Sequence, residues 1–287
     1  MTRRALLVGI NSYAGCNDLH GCVNDITAVA DVLVTSLGFD PGDIATLSDQ
    51  QATRQGIVEG LNALIGKAGR GDLLVFYYSG YGSRVKDTTA PDQASRLEEV
   101  LCPHDFDWNG TSIRDEAFAE AIQSMPRGAW LEVFLDACYS GTGGREMILD
   151  RKGLAAMGPG PITEEALWSS DYCIRPRFLP PPAEMALSPE TEDGRPVLVK
   201  RLGAAAVELN VVWEACRETQ YSADAVVDGK PAGAFTYFFC KHLRETGGNL
   251  TREELLHRIR DSLRREGFSQ VPQLECGGDL KKAPVFG

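Results

Sequence analysis

The residues with the clearest chemical potential lie in Leu131-Glu-Val-Phe-Leu-Asp-Ala-Cys138-Tyr-Ser-Gly-Thr-Gly-Gly144. An apolar run of strand length ends in Asp136, and a cysteine and a glycine-rich turn follow. The run reads as a strand buried on both faces, as in a parallel sheet. Cys138 therefore falls at a carboxyl strand end, where open α/β sheets form their sites. The glycines let the backbone fold tightly and bring N–H groups close to whatever the sulfur attacks. A thiol beside free backbone donors is the minimum set for acyl transfer. The competing reading is packing, because cysteine is among the most buried residue types.

Three further strand ends carry polar residues. Asn11 follows Ala5–Ile10, Ser79-Gly-Tyr81-Gly-Ser83 follows the run from Asp72 to Tyr78, and Cys216 to Glu218 follow Leu209–Ala215. Neighbouring parallel strands lie a little under roughly 5 Å apart, so such ends can share one cleft. Asp136 and Cys138 are two residues apart and point to the same face, as do Ser79 and Tyr81. An acidic floor built from Asp136, with Asp25 near the start of the first helix, attracts a guanidinium or an ammonium. For Asp25 a helix cap is the competing role. Gly80-Tyr81-Gly82 lacks the later glycine of a dinucleotide fingerprint, and no glycine loop is followed by a phosphate-binding lysine.

The elements that must position these residues alternate. The first strand, Ala5–Ile10, leads through a polar loop to a helix capped by Asn24 or Asp25, with Ile26, Val29, Ala30, Leu33 and Leu37 at helical spacing and Gly38 at its end. Ile44–Leu47 reads as a strand, and Thr53 opens a helix bearing Ile57, Leu61, Leu64 and Ile65. Residues 84–97 read as loop, Glu99–Cys102 as a small strand, residues 104–110 as turns and Asp115–Ser124 as a short helix. The pattern then degrades over 147–201, which holds Gly-Pro-Gly-Pro at 158–161 and Pro-Pro-Pro at 180–182. A structureless stretch of that length is usually functional or disordered. Gly233–Leu243 is helical, Thr251-Arg-Glu-Glu254 is a capping box for the last helix, and 270–287 reads as an irregular tail. Strands alternating with helices predict an α/β fold with one mostly parallel, doubly wound sheet.

Composition narrows the function. The 287 residues suit one large α/β domain or two small ones. A formal net charge of -11 argues against nucleic acid and is compatible with a basic partner. The eight cysteines form no CxxC pair and no zinc-like cluster, as in a reduced cytoplasmic protein. The N-terminal apolar run is too short for a signal peptide or a membrane span.

Taken together, Phe76-Tyr-Tyr-Ser-Gly-Tyr-Gly-Ser83, Asp136-Ala-Cys-Tyr-Ser-Gly141 and Gly21-Cys-Val-Asn-Asp25 resemble the motifs of metacaspases, in particular the compact prokaryotic orthocaspases. Glu214-Ala-Cys-Arg-Glu-Thr-Gln-Tyr-Ser-Ala-Asp224 and Gly233-Ala-Phe-Thr-Tyr237 resemble the same family's C-terminal part. The resemblance implies a caspase-like sheet in one domain: a large part over 1–146, a long loop over 147–201 and a small part over 202–287. It implies cleavage after Arg or Lys, with Cys138 as nucleophile. Asp25, Ser79 and Asp136 match the lining of the pocket for the basic side chain, and Cys22 matches a second cysteine near it. No cofactor is required on this reading, although many members need calcium, and Asp115 and Glu116 fall where the family carries acidic metal ligands. Self-cleavage is implied within 147–201, with Arg151, Lys152, Arg175, Arg177, Arg195, Lys200 and Arg201 as targets. The resemblance favours a monomer.

One position departs from the pattern. Tyr81 stands where the family has its general-base histidine. A histidine near pKa 6.5 takes the thiol proton and returns it to the leaving amine. A tyrosine, near pKa 10, is protonated at neutral pH. Without an imidazolium a thiolate also loses its stabilising partner. His20, near Cys22, is the one other histidine placed to substitute; His104, His242 and His257 read as loop and helix residues. Two functional readings follow. The favoured one is a crippled or inactive peptidase with a binding or regulatory role towards a basic peptide or protein. The alternative is an active cysteine endopeptidase. A sheet protein with no site at all explains the clustered motifs poorly.

Overall fold

The computed structural model describes residues 1–14, 16–86, 97–139, 174–182, 210–217 and 220–287. Six strands form the main sheet: β1 (Arg3–Gly9), β2 (Ile44–Ser48), β3 (Leu73–Ser79), β6 (Trp130–Asp136), β8 (Asn210–Glu214) and β11 (Gln273–Glu275). Their order is β11-β8-β6-β3-β1-β2, and every neighbouring pair is parallel except β11 with β8. The fold is thus α/β with a mostly parallel, caspase-like sheet. A hairpin of β4 (Gly82–Lys86) and β5 (Leu97–Leu101), and a three-stranded sheet of β7 (Ile174–Pro176), β9 (Ala223–Val227) and β10 (Lys230–Gly233), complete the strands.

Helices cover both faces. α1 (Cys22–Leu37), α4 (Ala234–Thr246) and α5 (Arg252–Arg265) share one apolar core; α2 (Arg54–Gly66) and α3 (Asp115–Gln123) share the other. β3 shows why the sheet needs both layers. Leu73, Val75 and Tyr77 enter the first core, and Leu74, Phe76 and Tyr78 enter the second. Side chains alternate along a strand, and a strand apolar on both faces must be covered twice.

The register fixes the site. Gly9 pairs with Ser79, and Ser79 with Asp136. Leu135 pairs with Glu214 on the far side. The carboxyl ends of β1, β3, β6 and β8 therefore finish in line. A second buried polar link ties the sheet to α5: Arg252 meets Glu132 at 3.0 Å, and Trp213 Nε1 donates to the same carboxylate at 2.9 Å.

Four expectations are corrected. α1 begins at Cys22 with Gly21 as its cap residue, so neither Asn24 nor Asp25 caps it; Asn11 Oδ1 accepts from the Cys22 and Val23 N–H groups instead. Of residues 84–97, read as loop, 84–86 belong to β4 and Leu97 to β5, held by their mutual pairing. The 147–201 stretch contains β7, which local sequence could not reveal because its partner is the distant β9. The tail contains β11 and a short helix, α6 (Gly278–Lys281).

Candidate active site

At the aligned strand ends, three carboxylates surround one guanidinium. Arg177 Nη2 lies 2.7 Å from Asp25 Oδ2 and 2.9 Å from Asp224 Oδ1. Its Nη1 lies 3.0 Å from Asp136 Oδ2 and donates to Ser79 Oγ at 2.7 Å. All five residues are buried. Each carboxylate has further donors: Ser222 and Thr236 hydroxyls on Asp136, the Gly233 N–H and the Ser79 hydroxyl on Asp25, and the His20 and Gly21 N–H groups on Asp224. Gly233 forms the floor, since a Cβ there would collide with the Asp136 carboxylate and the Arg177 guanidinium. Burial pushes the Asp25 carboxyl up to about 6; Arg177 pulls it down and Asp136 pushes it further up. Loss of water around the buried carboxylate, more than its neighbours' charges, sets the direction.

The main chain around Arg177 is held as firmly as its side chain. Its N–H donates to the Ser222 carbonyl at 2.9 Å. Its carbonyl oxygen accepts from both the Cys138 and the Gly82 N–H groups, each at 3.1 Å. Two converging backbone donors on one carbonyl oxygen, one of them from the cysteine, are the arrangement that stabilises charge on that oxygen in acyl transfer. A side chain at Gly82 would strike the Cys138 carbonyl, so the second donor needs glycine there. The Cys138 thiol is buried; its Sγ accepts from the Ser222 N–H at 2.9 Å and donates to the Ser222 carbonyl at 3.8 Å. The Cys216 thiol is its neighbour. That contact and burial both push the Cys216 pKa well up.

What a cysteine hydrolase also needs is a base, and Tyr81 is poorly suited to that. It is buried, its hydroxyl donates to the Asn17 carbonyl at 2.9 Å, and its ring packs on Tyr13 at 4.9 Å. Burial, chiefly, pushes its pKa far above the ordinary tyrosine value. Among the described residues no histidine ring is hydrogen-bonded to Cys138. His20 is exposed with its main chain anchored on Asp224, His104 Nδ1 meets the Ser12 carbonyl, His242 meets Glu245 and Ser262, and His257 is exposed on α5.

The predicted residues Asp25, Ser79, Asp136, Cys138 and Tyr81 all gather at these strand ends. Cys22 is buried beside them, and burial pushes its thiol pKa well up. Asp115 and Glu116 stand in the first turn of α3. Among the described residues no group of three or more His, Cys, Asp or Glu is close enough to hold a metal ion. Sequence reasoning missed Asp224 as a member of the acidic cluster. It stood inside the quoted stretch 214–224, but nothing local says that β9 folds back beside α1. Arg177 was one of seven basic residues in the long loop, and its selection rests on the β7–β9 pairing. Of the other six, only Arg175 lies within the described residues.

Comparison with known proteins identifies the family and the fold. A family model described as the metacaspase, peptidase C14 domain matches residues 3–144. The chain is 30% identical to Metacaspase-1 of Pyricularia oryzae, spanning 99% of this chain and 74% of that protein. It is 28% identical to Metacaspase-9 of Arabidopsis thaliana, over 96% and 93% respectively. Protein GSU0716 of Geobacter sulfurreducens has the same fold, with a TM-score of 0.67 over 100% of this chain and 98% of its own, at 20% identity. The chain belongs to the metacaspase family of caspase-like cysteine peptidases. The two named metacaspases are eukaryotic, which the likeness to compact prokaryotic forms does not anticipate.

Proposed function

We propose that this chain is a caspase-like protein whose acidic cluster receives an Arg or Lys side chain but whose peptide cleavage is crippled or lost. Its role on this reading is binding or regulation of a basic peptide or protein. The observation that carries it is Tyr81: buried, donating its proton to Asn17, and held far from deprotonation. Positioned acid–base catalysis is worth roughly 10²–10⁴-fold, and groups acting as a unit can cost more when one is lost. Arg177 supports the ligand class, because an arginine already satisfies every carboxylate of the cluster. The reading takes the chain as a cytoplasmic monomer without a required cofactor; any calcium would be sought at Asp115 and Glu116. No helix among the described residues is long and apolar enough to cross a membrane.

The alternative, an active endopeptidase cutting after Arg or Lys with Cys138 as nucleophile, draws support from the Arg177 carbonyl on the two N–H donors. One assay separates the readings. A fluorogenic Arg-terminated peptide is incubated with the chain, with and without calcium. Turnover at or near background supports the proposal; robust turnover that Cys138→Ala abolishes overturns it.

A further inference from the structure

The residue that follows Arg177 is held as specifically as Arg177 itself. Phe178 is 2% exposed and sits in a small apolar cluster of its own with Cys138 and Cys216, walled by Tyr221. This cluster is separate from the two cores that flank the sheet. The Phe178 and Tyr221 rings lie 6.1 Å apart at 46°. The main chain continues to be paired beyond it: Phe178 bridges Gly82 in parallel fashion, the Leu179 N–H donates to the Gly82 carbonyl at 2.9 Å, and Ser83 Oγ donates to the Leu179 carbonyl at 2.6 Å. Before it, β7 pairs with β9. An extended segment is thus gripped on both sides of the Arg177–Phe178 bond, with Cys138 beneath. The cysteine pair and the tyrosine do no work for the basic side chain, yet they are what the next side chain fills.

We infer that Cys138, Cys216 and Tyr221 form a subsite for the residue after the basic one, and that it selects a large apolar, best an aromatic, side chain. The partner is then an extended protein segment with a basic residue followed by an aromatic one, for which Ile174–Leu179 is the internal stand-in. This rests on the reading of the acidic cluster as a basic-residue site. The physical reason is burial: an aromatic ring removed from water against sulfur and another ring gains from area, from sulfur–aromatic contact and from ring–ring packing. Discrimination against glycine at this position should reach about 10- to 100-fold in affinity, the range that burying one such side chain supports.

The test uses the chain with Arg177→Ala and Phe178→Gly together, in which the cluster lacks its internal cation and the subsite its internal ring. Its folding is checked by circular dichroism. Fluorescently labelled Ile-Arg-Pro-Arg-Phe-Leu is titrated by anisotropy beside two variants, one with Phe replaced by Gly and one with the preceding Arg replaced by Leu. The Phe peptide should bind at least about tenfold tighter than the Gly peptide, and adding Tyr221→Ala should shrink that gap to about threefold or less. Equal binding of Phe and Gly peptides, with no binding of the Leu peptide, overturns the subsite and leaves the basic-residue reading standing. No binding of any peptide to a folded chain overturns both.

If that double variant does not fold, the whole chain with Phe178→Gly alone answers the same question. Trypsin is added, and cutting after Arg177 is followed by intact mass, normalised to free peptides of the two sequences. Loss of the anchoring ring should speed that cut by about tenfold or more, because cleavage follows the population of the opened segment. An unchanged rate overturns the inference.

Discussion

Replacing Arg177 by Met tests the energetics of the site, because it removes the charge and keeps much of the volume. The cation is within 3.0 Å of all three carboxylates, and every partner is buried. Removing one partner of a buried ion pair costs about 3–5 kcal/mol, since the remaining charge stays desolvated and uncompensated. Here one cation serves three anions, so the upper part of that range applies at pH 7.5. A domain is stable by only about 5–15 kcal/mol, so the loss shows as a large shift in urea midpoint. The pH dependence has a defined sign. Burial already pushes the folded Asp25 carboxyl up to about 6, above the ordinary aspartate range, and without Arg177 its chief downward influence disappears. The folded state then binds a proton that the unfolded state has released, and stability falls as pH rises through the folded value. Unfolding of Arg177→Met at pH 5.0 should therefore recover a substantial part of the loss seen at pH 7.5. Arg175→Met, two residues away with a half-buried side chain, should cost about 1 kcal/mol or less. A loss below about 1 kcal/mol for Arg177→Met, or one of equal size at both pH values, would refute the reasoning.

Three other outcomes follow from the same contacts. In the parent chain Asp25 favours folding at low pH and loses that advantage between about pH 4 and 6, worth up to about 3 kcal/mol; Asp25→Asn should flatten the stability–pH curve there, as urea titrations at successive pH values would reveal. Arg252→Leu strands the buried Glu132 carboxylate and should cost about 3–5 kcal/mol, while Glu132→Leu with Arg252→Leu should recover part of it; a double-mutant cycle measures the difference. Thr251→Ala removes the side-chain acceptor for the Glu254 N–H and half of a capping box, so thermal unfolding should report a loss of about 1 kcal/mol.

How much was legible beforehand depended on whether a signal was local. The runs ending in Ser79 and Asp136 announced buried parallel strands, and Gly38, Thr53 and the Thr251 capping box marked helix ends that the structure retains. Once the strands were parallel and neighbouring, Ser79, Asp136 and Cys138 had to converge. What stayed hidden depended on chain segments distant in sequence. Asp25 looks like a cap residue in isolation; it turns inward because Asn11 relieves it of capping and because Ser79, Gly233 and Arg177 offer partners. Asp224 joins the cluster through a hairpin, β9–β10, whose strands are too short and mixed in polarity to announce themselves. Arg177 and Phe178 lie among prolines in a stretch without periodicity, and pairing with β9 and with Gly82 gives them their place.

The central claim is that a single side chain, Tyr81, keeps a complete binding and oxyanion-stabilising arrangement from cutting. The most direct measurement uses the bond already lying in the site. The parent chain, Tyr81→His, and Tyr81→His with Cys138→Ala are incubated side by side, and intact mass follows cleavage after Arg177. The account predicts cleavage in Tyr81→His alone, faster than in the parent by about 10² or more. A parent chain that cuts itself there as fast as the histidine variant, in a manner that Cys138→Ala abolishes, would contradict it.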